Sequence, residues 1–339
     1  MTVDQLDLTV VGKYLEANVA GFKGLRNAQK FSDGQSNPTF LLNADSGQYV
    51  LRRQPPGELL KSAHAVDREF RVIAALASSD VPVARALHLC EDRDVIGSLF
   101  YLMSYEQGRI FWNPALPELD NIQRSDIYNE MNRVLAALHD VDIESVGLAD
   151  YGRAGNYFER QVSRWSQQYR ATETQNIEAM NRLIEWLPAN MPDDDGKVSL
   201  IHGDFRIDNM IFHPTESKAL ALLDWELSTL GHPYADLAYQ CMQLRLGSEA
   251  IVPGLGDVSR QKLGIPSEAE YVAQYCQRRG LAQIPNWNFY LVFGFFRFAA
   301  ILQGVLKRAI DGNASSSKAF AYGALAPKLA TMAVELIDG

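Results

Sequence analysis

The apolar positions of this chain change period twice. A helical stretch near residues 7–20 gives way, in KFSDGQSNPTFLLNADSGQYVLRRQPPG, to strand-like runs at Thr39–Asn43 and Gln48–Arg53. Ala44, Asp45, Ser46 and Gly47 supply turn chemistry between them, so the two runs predict a hairpin, with a further strand over Leu25–Phe31. Pro55-Pro56-Gly57 ends the sheet pattern. In AVDREFRVIAALA the apolar residues Val66, Phe70, Ile73 and Ala77 recur four, three and four apart, the spacing of an amphipathic helix. Two more strand-like runs, Arg85–Cys90 and Ser98–Tyr105, flank the polar turn EDRD. The first hundred residues therefore predict three strands, a helix and two strands.

From about residue 115 the pattern is mostly helical, with Ile127, Met131, Val134 and Leu138 on one face and Phe158, Val162, Trp165 and Tyr169 on another. Three short apolar runs interrupt it: Val198–Ile201, Met210–Phe212 and Ala219–Leu223, the last two joined by the turn PTESK. Helices resume at DLAYQCMQLRL and continue to the end, with no internal repeat and no low-complexity linker.

Composition narrows the class. Hydrophobic residues at 47% and charged residues at 22% describe an ordinary globular chain, and a net charge of −9 gives no general nucleic-acid surface. Cys90, Cys241 and Cys276 lack metal-ligand or CxxC spacing and read as reduced core residues of a cytoplasmic protein. Asp4 and Asp7 stand where a signal peptide carries positive charge. The most membrane-like run, 289–306, holds Arg297 at its middle. A central Arg costs roughly 2.5–3.5 kcal/mol in a bilayer, so the run is expected to be a buried core helix. No membrane partner is expected, and oligomeric state is not legible.

The chemistry concentrates in LIHGDFRIDNMIF (200–212) and in the DWE that closes the run ALALLD. A polyphosphate must be neutralised before a hydroxyl can approach it, and hard Mg²⁺ prefers carboxylate and amide oxygens. Asn209 and Asp224 fit that task as metal ligands. Asp204, five residues before the Asn at a strand exit, is placed to accept the proton of an attacking hydroxyl. Each residue taken singly is also a common turn former, but the spacing H-G-D-x-x-x-x-N with an Asp fifteen residues later is specific.

That arrangement resembles the catalytic loop and metal-binding Asp of the protein-kinase-like fold, with HGD for HRD and DWE for DFG. The chain is similar to the aminoglycoside phosphotransferase and choline kinase group. It is more similar still to the kinase-like modules fused to certain acyl-CoA dehydrogenases, in FSDGQSNPTFLL, YVLRRQPPG, LIHGDFRIDNMIF and LLDWELSTLGHPYADLAY. The resemblance implies an α+β bilobal fold, with a β-rich nucleotide-binding lobe over 1–104 and a mainly helical catalytic and substrate-binding lobe over 105–339, using ATP and Mg²⁺. It implies that Gly34, Gln35, Ser36 and Asn37 lie over the nucleotide phosphates and that Arg52 takes the place of the usual lysine. Glu69, three residues after Val66 and four before Ile73 and so beside the helix's buried stripe, is placed to pair with Arg52, with a surface salt bridge as the other role open to it. Met103, Ser104, Tyr105 and Glu106 would meet the adenine. Arg206 stands where kinases carry a lysine for the γ-phosphate, with a salt bridge to Asp208 or Glu226 as the other role open to it. His202 and Asp236 are expected to organise the loop by hydrogen bonds.

Too few residues separate Asp224 from DLAYQCMQL for a peptide-binding activation segment, so the expected partner is a small molecule bearing a hydroxyl. The acidic cluster Asp193–Asp195 sits in a Pro/Gly-flanked loop, whereas the helices offer Arg160, Arg164, Arg245 and Arg297, which favours a neutral or anionic acceptor. The likeness to the dehydrogenase-fused modules suggests a hydroxyacyl thioester. Two other classes stay open: a nucleotide-binding pseudokinase, and a metal-dependent phosphohydrolase using Asp204, Asp208 and Asp224.

Overall fold

A computed structural model describes residues 6–31, 37–55, 64–312 and 318–339. The chain folds as two compact units. One takes residues up to Ile110 together with Glu144–Leu148 and Asn209–Ser228; the other takes Phe111–Ile143, Ala149–Asp208 and Thr229–Gly339. The candidate loop is thus shared: Asp204 and Arg206 belong to the second unit, Asn209 and Asp224 to the first.

In the first unit, helix α1 (Leu8–Asn18) is capped by Asp7, whose carboxylate accepts from the N–H groups of Thr9 and Val10. Its Val11 and Leu15 share a core with Phe40, Leu42, Leu51, Phe100 and Leu102 of the sheet. That sheet contains β1 (Leu25–Lys30), β2 (Thr39–Ala44), β3 (Gly47–Arg53), β4 (Ala86–Cys90) and β5 (Phe100–Ser104) in the order β1-β2-β3-β5-β4, antiparallel throughout. The predicted hairpin is β2–β3. Where EDRD predicts a simple turn, a short helix α3 (Arg93–Ile96) forms, because Asp92 caps its first turn and Gly97 ends it at φ +79°.

Helix α2 (Val66–Ala75) buries Val66, Glu69, Val72 and Ile73. The inward stripe is therefore rotated from the one expected: Ala77 is exposed and Leu76 is buried in its place. Glu69 stands on the centre of the buried face rather than beside it. The unit is completed by the hairpin β7 (Met210–Phe212) and β8 (Ala219–Leu222). Arg109 fastens it: its backbone pairs with Phe212, and its guanidinium donates to the carbonyls of His213 and Glu216 at 2.9 Å each.

The second unit is mainly helical: α4 (Asn121–His139), α5 (Tyr157–Thr172), α6 (Glu178–Ala189), α7 (Tyr234–Leu244), α8 (Arg260–Leu263), α9 (Glu268–Arg278), α10 (Trp287–Ile310), α11 (Ala319–Gly323) and α12 (Ala326–Asp338). Helix α10 packs against α5, α7, α11 and α12. Two segments, α10 and Ala319–Asp338, are long and apolar enough to cross a membrane; 78% of the apolar window of α10 is buried, the position of a core helix, as expected. The strand β6 (Ser199–Ile201) pairs with β9 (Thr229–Gly231), a strand the sequence pattern did not reveal. The α+β class expected from the sequence is found, with a five-stranded antiparallel sheet in the N-terminal part and a mainly helical C-terminal part.

Candidate active site

In the first unit the chemistry centres on Arg52. Alternation along β3 puts Arg53 on the opposite face, over the ring of Phe40, and turns Arg52 toward α2. Arg52 Nε lies 2.7 Å from Glu69 Oε2, and Nη2 donates to Asp224 Oδ1 at 2.9 Å, with Glu226 at 3.9 Å. The hydrogen-bond donors to Glu69 are the Tyr101 hydroxyl at 3.1 Å and Asn37 Nδ2 at 2.7 Å. Burial pushes the Glu69 carboxyl up, and the Asp224 charge adds to this against the pull of Arg52. Two hydrogen-bond donors and the adjoining guanidinium nevertheless fit the ionised form, and that is the state the ion pair needs. For Arg52, burial alone would lower the pKa; Glu69 first, then Tyr101, Asp224 and Glu226, outweigh it and hold the guanidinium charged.

Asp224 adopts a left-handed backbone, φ 62° and ψ 61°, directly after β8. Non-glycine residues in that region concentrate at functional sites, and Asp tolerates it better than most. The β7–β8 register sets Met210 opposite Leu222, and Leu223 N donates to Asn209 O at 2.7 Å. Asn209 and Asp224 are thereby neighbours across the hairpin's open end. Both are hard oxygen donors, and the Asp224 side chain is 37% exposed with only one oxygen on Arg52, so the pair fits a Mg²⁺ ion by donor chemistry.

The other expected nucleotide residues are placed as follows. Gly34, Gln35 and Ser36 lie outside the described residues. Asn37 is buried, its side chain engaged with Glu69 and with His64 Nδ1 at 3.1 Å, so it supports α2. Met103 and Ser104 end β5, with Met103 opposite Val50 and Ser104 Oγ bonded to Glu106 at 2.5 Å; Tyr105 and Glu106 follow the strand.

In the second unit a buried frame shapes the loop after β6. Asp236, in the first turn of α7, accepts from the backbone N–H of His202 at 2.6 Å and of Gly203 at 2.9 Å. Gly203 holds φ +85°, which only glycine adopts cheaply. The His202 ring is fully buried, and its Nδ1 accepts from Asp204 N at 3.2 Å. His139 closes the frame, 3.5 Å from Asp236 through Nε2 and 2.8 Å from the Tyr275 hydroxyl through Nδ1. Burial lowers the His139 pKa, so the ring is neutral. Burial works against the Asp236 charge, but His139 and the His202 N–H outweigh it and hold that carboxyl below its ordinary range. His202 and Asp236 thus organise the loop as the sequence led us to expect.

Asp204 is hydrogen-bonded by the Tyr239 hydroxyl, whose pKa is raised by burial and then by the Asp204 charge. Arg206 forks onto Asp208, with Nε on Oδ1 at 2.8 Å and Nη2 on Oδ2. That is one of the two roles left open for it. Burial opposes its charge, while Asp208 and Asp204 sustain it. Of the helix arginines, Arg245 forks onto Glu268 at 2.7 Å through each nitrogen, and Arg160 donates to the carbonyls of Arg153 and Ala154. Arg297 donates to Gly203 O at 3.0 Å, and its guanidinium lies over the rings of Trp165 and Tyr239. The sequence reading missed Tyr239 and Trp165. Their signal was weak, since aromatic residues on apolar helix faces are usually core.

The family described as the phosphotransferase enzyme family matches residues 27–285, most of the chain and both sets of site residues. The chain belongs to the phosphotransferase enzyme family. Among its relatives is mouse acyl-CoA dehydrogenase family member 10, 50% identical over 305 residues, 90% of this chain and 28% of that protein. The chain thus spans less than a third of that relative's length. A Ralstonia eutropha JMP134 protein, provisionally named an aminoglycoside phosphotransferase, has a crystal structure that superposes with a TM-score of 0.91 at 45% identity, covering 98% of this chain and 99% of that one. A thermostable mutant of aminoglycoside phosphotransferase APH(4)-Ia, in ternary complex with ADP and hygromycin B, superposes at 0.65 with 15% identity over 97% and 99% of the two chains, a likeness of fold. The kinase-like fold implied by the motifs is therefore the fold of this chain.

Proposed function

We propose that this phosphotransferase moves the γ-phosphoryl group of ATP to a hydroxyl of a small molecule, in the cytoplasm, with a hydroxyacyl thioester as the acceptor suggested by its dehydrogenase-fused relatives. The observation that carries the reading is the buried Arg52–Glu69 ion pair with Asp224 on the far edge of the same guanidinium. An arginine so anchored is preorganised for phosphate oxygens and loses little freedom when it grips them. In this reading Asn209 and Asp224 hold Mg²⁺, which neutralises polyphosphate charge when bound. Asp204 takes the acceptor's proton and aims its oxygen, and Arg206 exchanges part of its hold on Asp208 for the γ-phosphate. Gly34, Gln35 and Ser36 would cover the phosphates, and Met103–Glu106 would meet the adenine.

The phosphohydrolase reading needs Asp208 as a metal ligand, but both its oxygens are taken by Arg206. The pseudokinase reading differs only in outcome, so it is separated by experiment. Mg²⁺-ATP is expected to raise the melting temperature of the wild type and not that of Asp224→Ala; no shift in either protein would overturn nucleotide binding.

A further inference from the structure

In the second unit, helix α10 buries every residue from Phe289 to Ala300 except Arg297. A charge in the middle of an apolar helix is costly unless it is compensated, and the compensation here is incomplete. Arg52, Arg206 and Arg245 each hold a carboxylate. Arg297 has none within ion-pair distance among the described residues. Its contacts are one bond to the Gly203 carbonyl, adjoining Asp204, and the faces of Trp165 and Tyr239, at 5.8 and 5.2 Å from the ring centroids. Tyr239 in turn bonds Asp204, so the guanidinium stands one ring away from that carboxylate. The Trp165 ring also carries Arg164, at 5.6 Å. Arg164 is exposed and likewise has no carboxylate among the described residues. Two unneutralised cations on one half-buried indole repel each other, and an anion between them would relieve that repulsion. Arg297 keeps donors to spare, since a guanidinium has five N–H groups.

We infer that Arg297, assisted by Arg164 across Trp165, is a specificity-determining residue that takes an oxyanion of the acceptor, a carboxylate or a phosphate, while the acceptor's hydroxyl is presented to Asp204. The inference rests on the phosphotransfer reading and adds the charge of the substrate to it. A polycationic acceptor is repelled by the same pair, so the chemistry points away from aminoglycosides even though solved relatives of this fold are complexed with them.

The test uses the whole chain with Mg²⁺ and γ-labelled ATP, and offers three acceptor sources: hygromycin B, and the anion-exchange-retained and flow-through fractions of a small-molecule cell extract. Label is expected to enter an organic product from the retained fraction alone. Prior phosphatase treatment of that fraction abolishes the transfer if the oxyanion is a phosphate and leaves it if it is a carboxylate. Arg297→Gln is expected to raise the amount of retained fraction needed for half-maximal rate about ten- to a hundredfold, with half-saturation by Mg²⁺-ATP unmoved and Arg297→Lys recovering part of the loss. Transfer to hygromycin B or to the flow-through fraction, or an Arg297→Gln profile like the wild type, would overturn the inference and leave phosphotransfer standing. Absence of transfer from every source, with thermal stabilisation by Mg²⁺-ATP intact, removes the phosphotransfer reading and this inference with it. Should Arg297→Gln not fold, wild-type protein treated with phenylglyoxal gives the same information by peptide mass. Arg297 should be protected by the retained fraction and not by the flow-through, and equal modification with both overturns the assignment.

Discussion

Arg52 does what a lysine at its position could not: its Nε serves Glu69 while its Nη2 serves Asp224, two partners at different edges of one planar group. Glu69 is 2% exposed and depends on that cation. Arg52→Ala is therefore expected to destabilise the protein by about 3–5 kcal/mol, because it strands a buried carboxylate, and Glu69→Gln in the same background should recover part of the loss; urea unfolding of both variants checks this. Unchanged stability in Arg52→Ala would mean that Glu69 is neutral in the native state. The spacing of Glu69 after Val66 made its pairing with Arg52 legible in the sequence. The bond to Asp224 was not, because it joins residues 172 apart and exists only once the β7–β8 hairpin is built into the first unit.

At the scale of elements, the strand β6, the turn at Gly203 and the start of α7 form one hydrogen-bonded frame, and its keystone is Asp236. Asp236→Ala leaves the N–H groups of His202 and Gly203 without their acceptor and should cost about 2–4 kcal/mol. The frame also predicts a pH dependence. His139 titrates below its ordinary value of 6.5, so below that value the unfolded chain binds a proton that the folded one refuses, and stability falls as the pH drops through and below 6.5. Asp236 titrates below its ordinary 3.8, so its contribution is present above that value and is lost only as the pH falls beneath it. Melting temperatures from pH 8 to 5 should decline toward acid in the wild type and less steeply in His139→Gln. Equal slopes would show that His139 is not the group responsible. The role of His202 as support was legible, since a ring on an apolar strand seldom faces a ligand. The strand β9 was not, because Thr-Leu-Gly is too short for a period to register and its pairing with β6 is set by tertiary packing. The rotated stripe of α2 has a similar cause: periodicity ranked Phe70 and Ala77 above a buried glutamate, which only its partners make tolerable.

On the scale of the whole molecule, the candidate residues are divided between two compact units, with the proposed phosphate and metal groups in one and the proposed base in the other. That division predicts separable losses. Asp224→Ala should abolish stabilisation by Mg²⁺-ATP, whereas Asp204→Ala should keep it and lose transfer. The most direct test of the account is the fate of the γ-phosphoryl group: γ-labelled Mg²⁺-ATP is incubated with a cell metabolite extract and either wild-type protein or Asp204→Ala, and labelled organic products are sought by mass spectrometry. The account predicts a phosphorylated small molecule with the wild type and at least a hundredfold less, on the order of the contribution of a positioned general base, with Asp204→Ala. The same product at the same rate from both proteins would contradict it.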